Sequence, residues 1–162
     1  MRNRTTTKIN IALIVLLTAF AININGATFT VTKTADTNDG VCDSDCSLRE
    51  AIDVANTAAS DDEIDFDGTV FGSAQTITLG GTQLTIQSNG SLTILGTGSN
   101  MLTISGNDLS RVFEIEIGSL VLMQSLKVTK GDSGSNGGGG IFVNNAELQL
   151  IECLITENKN TF

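Results

Sequence analysis

Residues 28–33, TFTVTK, alternate apolar and polar side chains, the period-two pattern of a strand with one face in a core and the other in water. Ser47 then stands ahead of Leu48, Ile52, Ala55 and Ala59, which share one face of a helix, with Arg49, Asp53 and Asn56 on the other. Ser47 is a favourable N-cap, and Glu50 three places on can return its carboxylate to the cap amide. The spacing predicts an amphipathic helix of about 12 residues whose apolar face, Leu48, Ile52 and Ala55, covers something apolar.

From Ile64 onward the pattern changes. EIDF, TITL, QLTI, SLTILG, MLTISG, VFEIEIG, SLVLMQ, LKVTKG, GIFV, ELQL and CLITEN are each of strand length, with Gly, Asn, Ser and Asp between them. Their apolar positions recur. Leu84, Phe113 and Phe142 lie 29 apart, while Leu92, Leu120 and Leu148, and also Ile94, Leu122 and Leu150, lie 28 apart. Leu126 and Leu154 repeat the 28, whereas Leu102 precedes Leu126 by 24, because the corner containing GTGSN and the one after it differ in length.

Such a period, with three short strands per unit, predicts a coil whose equivalent strands pair in parallel about 4.8 Å apart. Leu and Phe then stack on their own copies in columns. An antiparallel sandwich also accommodates short strands and frequent turns. Residue identity at a fixed period favours an all-β parallel β-helix of about three turns with an N-terminal cap containing one short α-helix. The organisation expected is a leader at 1–21, a cap at 28–67 and helical turns at 68–162, with no comparable second cap, so that the coil reads as truncated.

The segment CSLREA, Cys46 to Ala51, followed by IDVAN, resembles the N-terminal cap domain named for that motif in exported bacterial proteins. Downstream, GGGGIFVNNAELQLIECLITEN resembles the right-handed parallel β-helix repeats of pectate-lyase-like and polymorphic outer-membrane-protein-like chains. The resemblance implies a right-handed coil in an extracellular or cell-surface protein, outer-membrane associated where a C-terminal anchor follows. No anchoring region is recognisable within these residues.

The leader agrees with that address. Arg2, Arg4 and Lys8 precede an uncharged apolar run from Ile9 to Ile22, and Ala19 and Ala21 have the A-x-A spacing of a signal-peptide cleavage site. The run of 14 is short of the roughly 20 residues that span a bilayer. Cleavage after Ala21 is expected, with a cut as late as Ala27 as the alternative. Loss of three cations takes the formal charge from −9 to −12. That surface repels nucleic acid and anionic lipid, and the mature chain keeps no span. The partners expected are extracellular polysaccharide or a host or cell-surface ligand.

Chemistry is sparse, with no His, Trp, Tyr or Pro. Asp36, Asn38, Asp39, Asp43 and Asp45 crowd around Gly40, a candidate calcium loop of hard oxygen donors, although the EF-hand spacing is not met. The alternative is an acidic loop of Asx turns pinned by a Cys42–Cys46 bridge, which export permits. A zinc site is poorly supplied by two nearby cysteines. No other cofactor is expected. Glu63, Asp65 and Asp67 fall on one side of a strand, opposite Ile64 and Phe66. Paired carboxylates serve glycoside hydrolysis, but three like charges on one short strand read better as a solvated face.

The run GDSGSNGGGG lacks the Lys-Ser or Lys-Thr of a phosphate loop and reads as a flexible corner. Cys153 lies 28 after Ser125, a small core position rather than a nucleophile, since no His can activate it. Arg111 is isolated, Lys127 and Lys130 bracket one strand, and Asn89 opens the glycosylation pattern NGS. The functional expectation is an exported, adhesin-like scaffold presenting a binding surface, without catalysis in this segment. The alternative is the N-terminal part of a polysaccharide lyase or glycoside hydrolase whose groove lies in further turns.

Overall fold

The computed structural model describes residues 26–87 and 90–161; the leader and Asn89 lie outside them. Strand β1 (Thr28–Val31) leads through an acidic loop to helix α1 (Leu48–Thr57), and β2 (Asp62–Phe66) is followed by the one-turn α2 (Gly68–Phe71). Ten more strands follow: β3 (Gln75–Thr78), β4 (Leu84–Ile86), β5 (Ser91–Leu95), β6 (Leu102–Ser105), β7 (Phe113–Ile115), β8 (Leu120–Gln124), β9 (Lys127–Thr129), β10 (Ile141–Val143), β11 (Glu147–Ile151) and β12 (Leu154–Thr156).

The first sheet orders β1, β2, β5, β8 and β11; the second β3, β6, β9 and β12; the third β4, β7 and β10. From β2 onward successive strands visit the three sheets in rotation, and every named ladder is parallel. The chain is therefore a three-sided parallel β-solenoid of about three turns, and the antiparallel sandwich is excluded.

Apolar side chains stack inside in columns set by the ladder registers. Ile64, Ile94, Met123 and Leu150 form one, and Ile77, Ile104, Val128 and Ile155 another. Leu84, Phe113 and Ile141 make a third, beside Ile86, Ile115 and Val143.

Expected columns in all three sheets differ from those observed. Leu92 stacks on Val121 and then Leu148, steps of 29 and 27 whose mean is the apparent 28. Leu120 and Leu122 consequently sit on the outer face, with Leu120 half exposed. In the third sheet Phe113 pairs with Ile141, so Phe142 faces outward opposite Glu114. Leu154 likewise pairs with Lys127, leaving Cys153 in the column of Leu126 rather than that of Ser125. The cause is common to all three: a strand's side chains alternate, so a one-residue change in corner length moves each residue to the opposite face.

The corners share one device. Ser125 and Glu152, Lys130 and Glu157, and Gly118 and Asn145 are each 27 apart, and all have positive φ, between 47° and 84°. A left-handed residue at these places bends the chain from one sheet to the next within a short turn.

Helix α1 starts with the full capping box: the Ser47 hydroxyl accepts from the Glu50 amide, and the Glu50 carboxylate accepts from the Ser47 amide at 2.6 Å. Leu48, Ala51, Ile52 and Ala55 are buried against the coil. The helix is 10 residues long and ends before Ala59, which is exposed. Its polar face is engaged as well. Arg49 donates to the carbonyls of Thr82 and Gln83, and Asn56 donates to Thr85 and accepts from the Gln87 amide.

Those groups form the free edge of β4. Leu84 and Glu116 amides link the other edge to the next turn, leaving residues 83, 85 and 87 facing an absent strand. Arg49 and Asn56, two helical turns apart, take that strand's place. An edge that would otherwise pair with another chain is thereby closed.

Candidate functional site

The acidic loop does not gather its oxygen atoms. Asp36 accepts two hydrogen bonds from the Arg49 guanidinium and one from the Gly80 amide. Asn38 bonds Asp53 and the Gly40 amide, Asp39 accepts from Val41, and Asp43 accepts from Asp45. The cation among them is a side chain: Lys33 Nζ lies 3.2 Å from Asp45 and 3.4 Å from Glu50. Among the described residues no group of three or more His, Cys, Asp or Glu side chains is arranged to hold a metal ion. The loop is a chain of Asx turns, with the sulfur atoms of Cys42 and Cys46 at disulfide distance and their Cα atoms 4.5 Å apart.

Glu50 is the buried member of this group. Burial pushes its carboxyl up, but the amides of Ser47 and Asp39 and the charge of Lys33 outweigh that and hold it below its ordinary value.

The second acidic cluster also separates. Glu63 and Asp65 lie on the outer face of β2, but Asp67 has left the strand and caps α2, accepting from Thr69 and Val70. Asp62, which the alternation pattern did not mark, is the buried one, inward beside Leu92 and accepting from Ala27 and Ser60.

The corner between the second and third sheets is where polar side chains converge. Loops of three successive turns, 81–83, 109–111 and 132–136, wall a groove of about 480 Å³. Its organiser is Arg111, a buried residue that the sequence pattern left isolated. The guanidinium donates to the carbonyls of Asn136, Gly137 and Gly138 and to Gln83 Oε1. It also lies 3.5 Å from Glu114 and 4.7 Å from the Phe142 ring centroid. Gln83 in turn donates to Glu114.

Arg111 thus binds the glycine run to the turn before it, so that run is a fastened corner and not a free one. Glycine is needed there for contact: a Cβ on Gly139 would sit 2.0 Å from the Lys159 carbonyl of the following turn. The sequence carried no local signal for this cluster: Phe142 stood at an expected inward repeat position, and the backbone and Gln83 partners of Arg111 lie a full turn away on either side.

The opposite side of the groove is secured by Asp132, which accepts from the Gly134 and Thr161 amides and from the Thr161 hydroxyl at 2.6 Å. The Thr161 hydroxyl bond first, then the Gly134 amide, holds its carboxyl below the ordinary range. Lys159 bridges Asp108 at 2.9 Å. Leu109 stands largely exposed on the groove wall, and the buried Ser110 hydroxyl has no partner among the described residues.

Lys127 belongs to β9 and Lys130 to the corner after it. Cys153 is a free, half-buried thiol against the Met123 carbonyl. Among the described residues no helix is long and apolar enough to cross a membrane. No protein-family model matches the chain. No curated protein and no solved structure matches it either.

Proposed function

We propose that the chain is an exported β-solenoid scaffold, adhesin-like in use, with a CSLREA-type cap, which holds corner loops in a fixed array to bind an extracellular ligand. The observation that carries this reading is the corner groove: loops from three turns are fixed around Arg111 and Asp132, while of the candidate catalytic carboxylates Asp67 leaves Glu63 and Asp65 to cap α2. A stack of short strands positions such loops at regular intervals, which suits recognition by an extended surface. The leader and the cysteine pair support an oxidising, extracytoplasmic destination.

Expression of the full chain in a bacterial host, followed by fractionation and N-terminal sequencing, tests the reading. The expected product is outside the cytoplasm and begins at Ile22, or as late as Thr28. An unprocessed cytoplasmic product would contradict export.

A further inference from the structure

We infer that the open end of the coil is a self-association surface, and that two copies of this chain close each other's end as a two-fold dimer. Strands β10, β11 and β12 each stand last in their sheet, with no described strand beyond them. Their inward side chains Val143, Leu150 and Ile155 continue buried columns but are themselves exposed.

The backbone points the same way. The Asn144, Glu147 and Leu154 amides donate to the turn before, and the Gly140 and Ile151 carbonyls accept from it. Alternation along a parallel ladder therefore turns the N–H and C=O groups of residues 143, 148, 150 and 155 toward the open end. The residues with the uncovered apolar side chains are thus also those whose backbone groups face an absent strand.

One register serves all four. A two-fold axis through Gln149 sets Leu148 opposite the second copy's Leu150, and sets Val143, six residues before Gln149, opposite its Ile155, six after. Each pair is apolar on apolar, and in each the two residues exchange N–H···O=C bonds. In the same register Glu147 faces Ile151, Glu152 faces Ala146 and Glu157 faces Ile141, so no carboxylate meets another.

The other end of a second copy cannot take this place. There α1 already lies with its apolar face on the coil, and Arg49 and Asn56 close β4. The association therefore stops at two chains rather than growing as a filament. An end turn supplies about 28 residues, within the roughly 20–30 per side of a standard interface. Dilution separates the copies and leaves Leu150 as lightly covered as it is in the single chain.

Sedimentation equilibrium of the full chain from about 1 µM to about 1 mM, a range spanning weak and tight association, tests this. The mass is expected to rise from one chain to two and no further. Leu150→Lys, which puts a charge in the seam, is expected to stay a single chain with an unchanged circular dichroism spectrum. Cross-linking in a Cys153→Ser background tests the register without relying on that variant. Gln149→Cys brings two thiols together across the axis at a Cα separation of about 4.5 Å, within disulfide reach. Glu147→Cys leaves them about 13 Å apart, four residues along the strand. Mild oxidation should give a covalent dimer of the first and not of the second.

A single chain at every concentration overturns the inference, as does growth beyond two chains. A dimer that survives Leu150→Lys, or equal cross-linking of the two cysteine variants, overturns it as well.

Discussion

Ile94 and Leu150 occupy one column of the first sheet, two turns apart, yet Ile94 is 0% exposed and Leu150 is 42% exposed. Ile104 and Ile155 repeat the contrast in the second sheet at 0% and 41%, with identical side chains. The third sheet shows what resolves it. Ile86, in the first turn, is 0% exposed although its strand is an edge, because α1 lies over it. Val143, at the other end of the same column, is 39% exposed. Inward direction alone does not bury a side chain in a solenoid. A neighbour must stack on each side, and at the N-terminal end a helix does so with its apolar face while Arg49 and Asn56 satisfy the strand edge.

The contrast breaks most sharply under truncation of one column at two heights. Met123→Ala, between two turns, is expected to cost about 2–5 kcal/mol in urea unfolding. Leu150→Ala in the same column is expected to cost under about 1 kcal/mol, because little of its surface is removed from water. Equal costs at the two positions would show that burial by stacking does not govern stability here.

Removing the edge-closing arginine comes next. Arg49→Leu keeps the apolar stem but strands the Thr82 and Gln83 carbonyls and Asp36, an expected loss of about 2–3 kcal/mol. Hydrogen exchange should rise in β4 and not in β9. Arg49→Lys, which retains charge without the planar fork, should recover only part of the loss.

The loop beneath the cap is held by a smaller effect. Cys42→Ser opens a link across a sequence separation of 4 and should cost about 2 kcal/mol by chain-entropy reasoning. Thiol titration of the unreduced, denatured wild type should find one reactive thiol, Cys153.

The smallest effect is a pH slope. The Glu50 carboxyl is depressed in the fold from its ordinary 4.5 because its hydrogen bonds and Lys33 outweigh burial. A depressed carboxyl stabilises fully above the unfolded pKa and loses that contribution as pH falls through the folded value. Asp61, Asp67 and Asp132 act in the same direction. Lys33 has the opposite sign: burial lowers its pKa but Asp45 and Glu50 raise it overall, so its contribution is lost only as pH climbs past 10.5. Melting temperature should therefore hold steady through neutral pH and fall below about 4.5, with a shallower fall in Glu50→Gln.

Much of the fold was legible from local pattern. Ser47 and Glu50 marked the helix start because a capping box is a contact over three residues. The solenoid was legible because inward positions recur, and even averaged steps of 29 and 27 preserve a period near 28. The corner groove was not. Arg111 reaches Gly138, 27 residues on, and Gln83, 28 residues back, and neither partner is encoded near it. Likewise the alternation at 63–67 pointed three carboxylates one way, while the chain leaves β2 at Phe66 and makes Asp67 a cap.

By itself, then, the sequence determined the strands, the cap helix and a repeat of roughly 28 residues, since propensity, capping and periodicity act between near neighbours. Only the tertiary structure decided which residue of each strand faces inward, which polar side chains close the β4 edge, and that a lone arginine gathers three turns into one groove. Each of those depends on corner lengths and on contacts between turns, where a shift of one residue reverses the face a side chain presents.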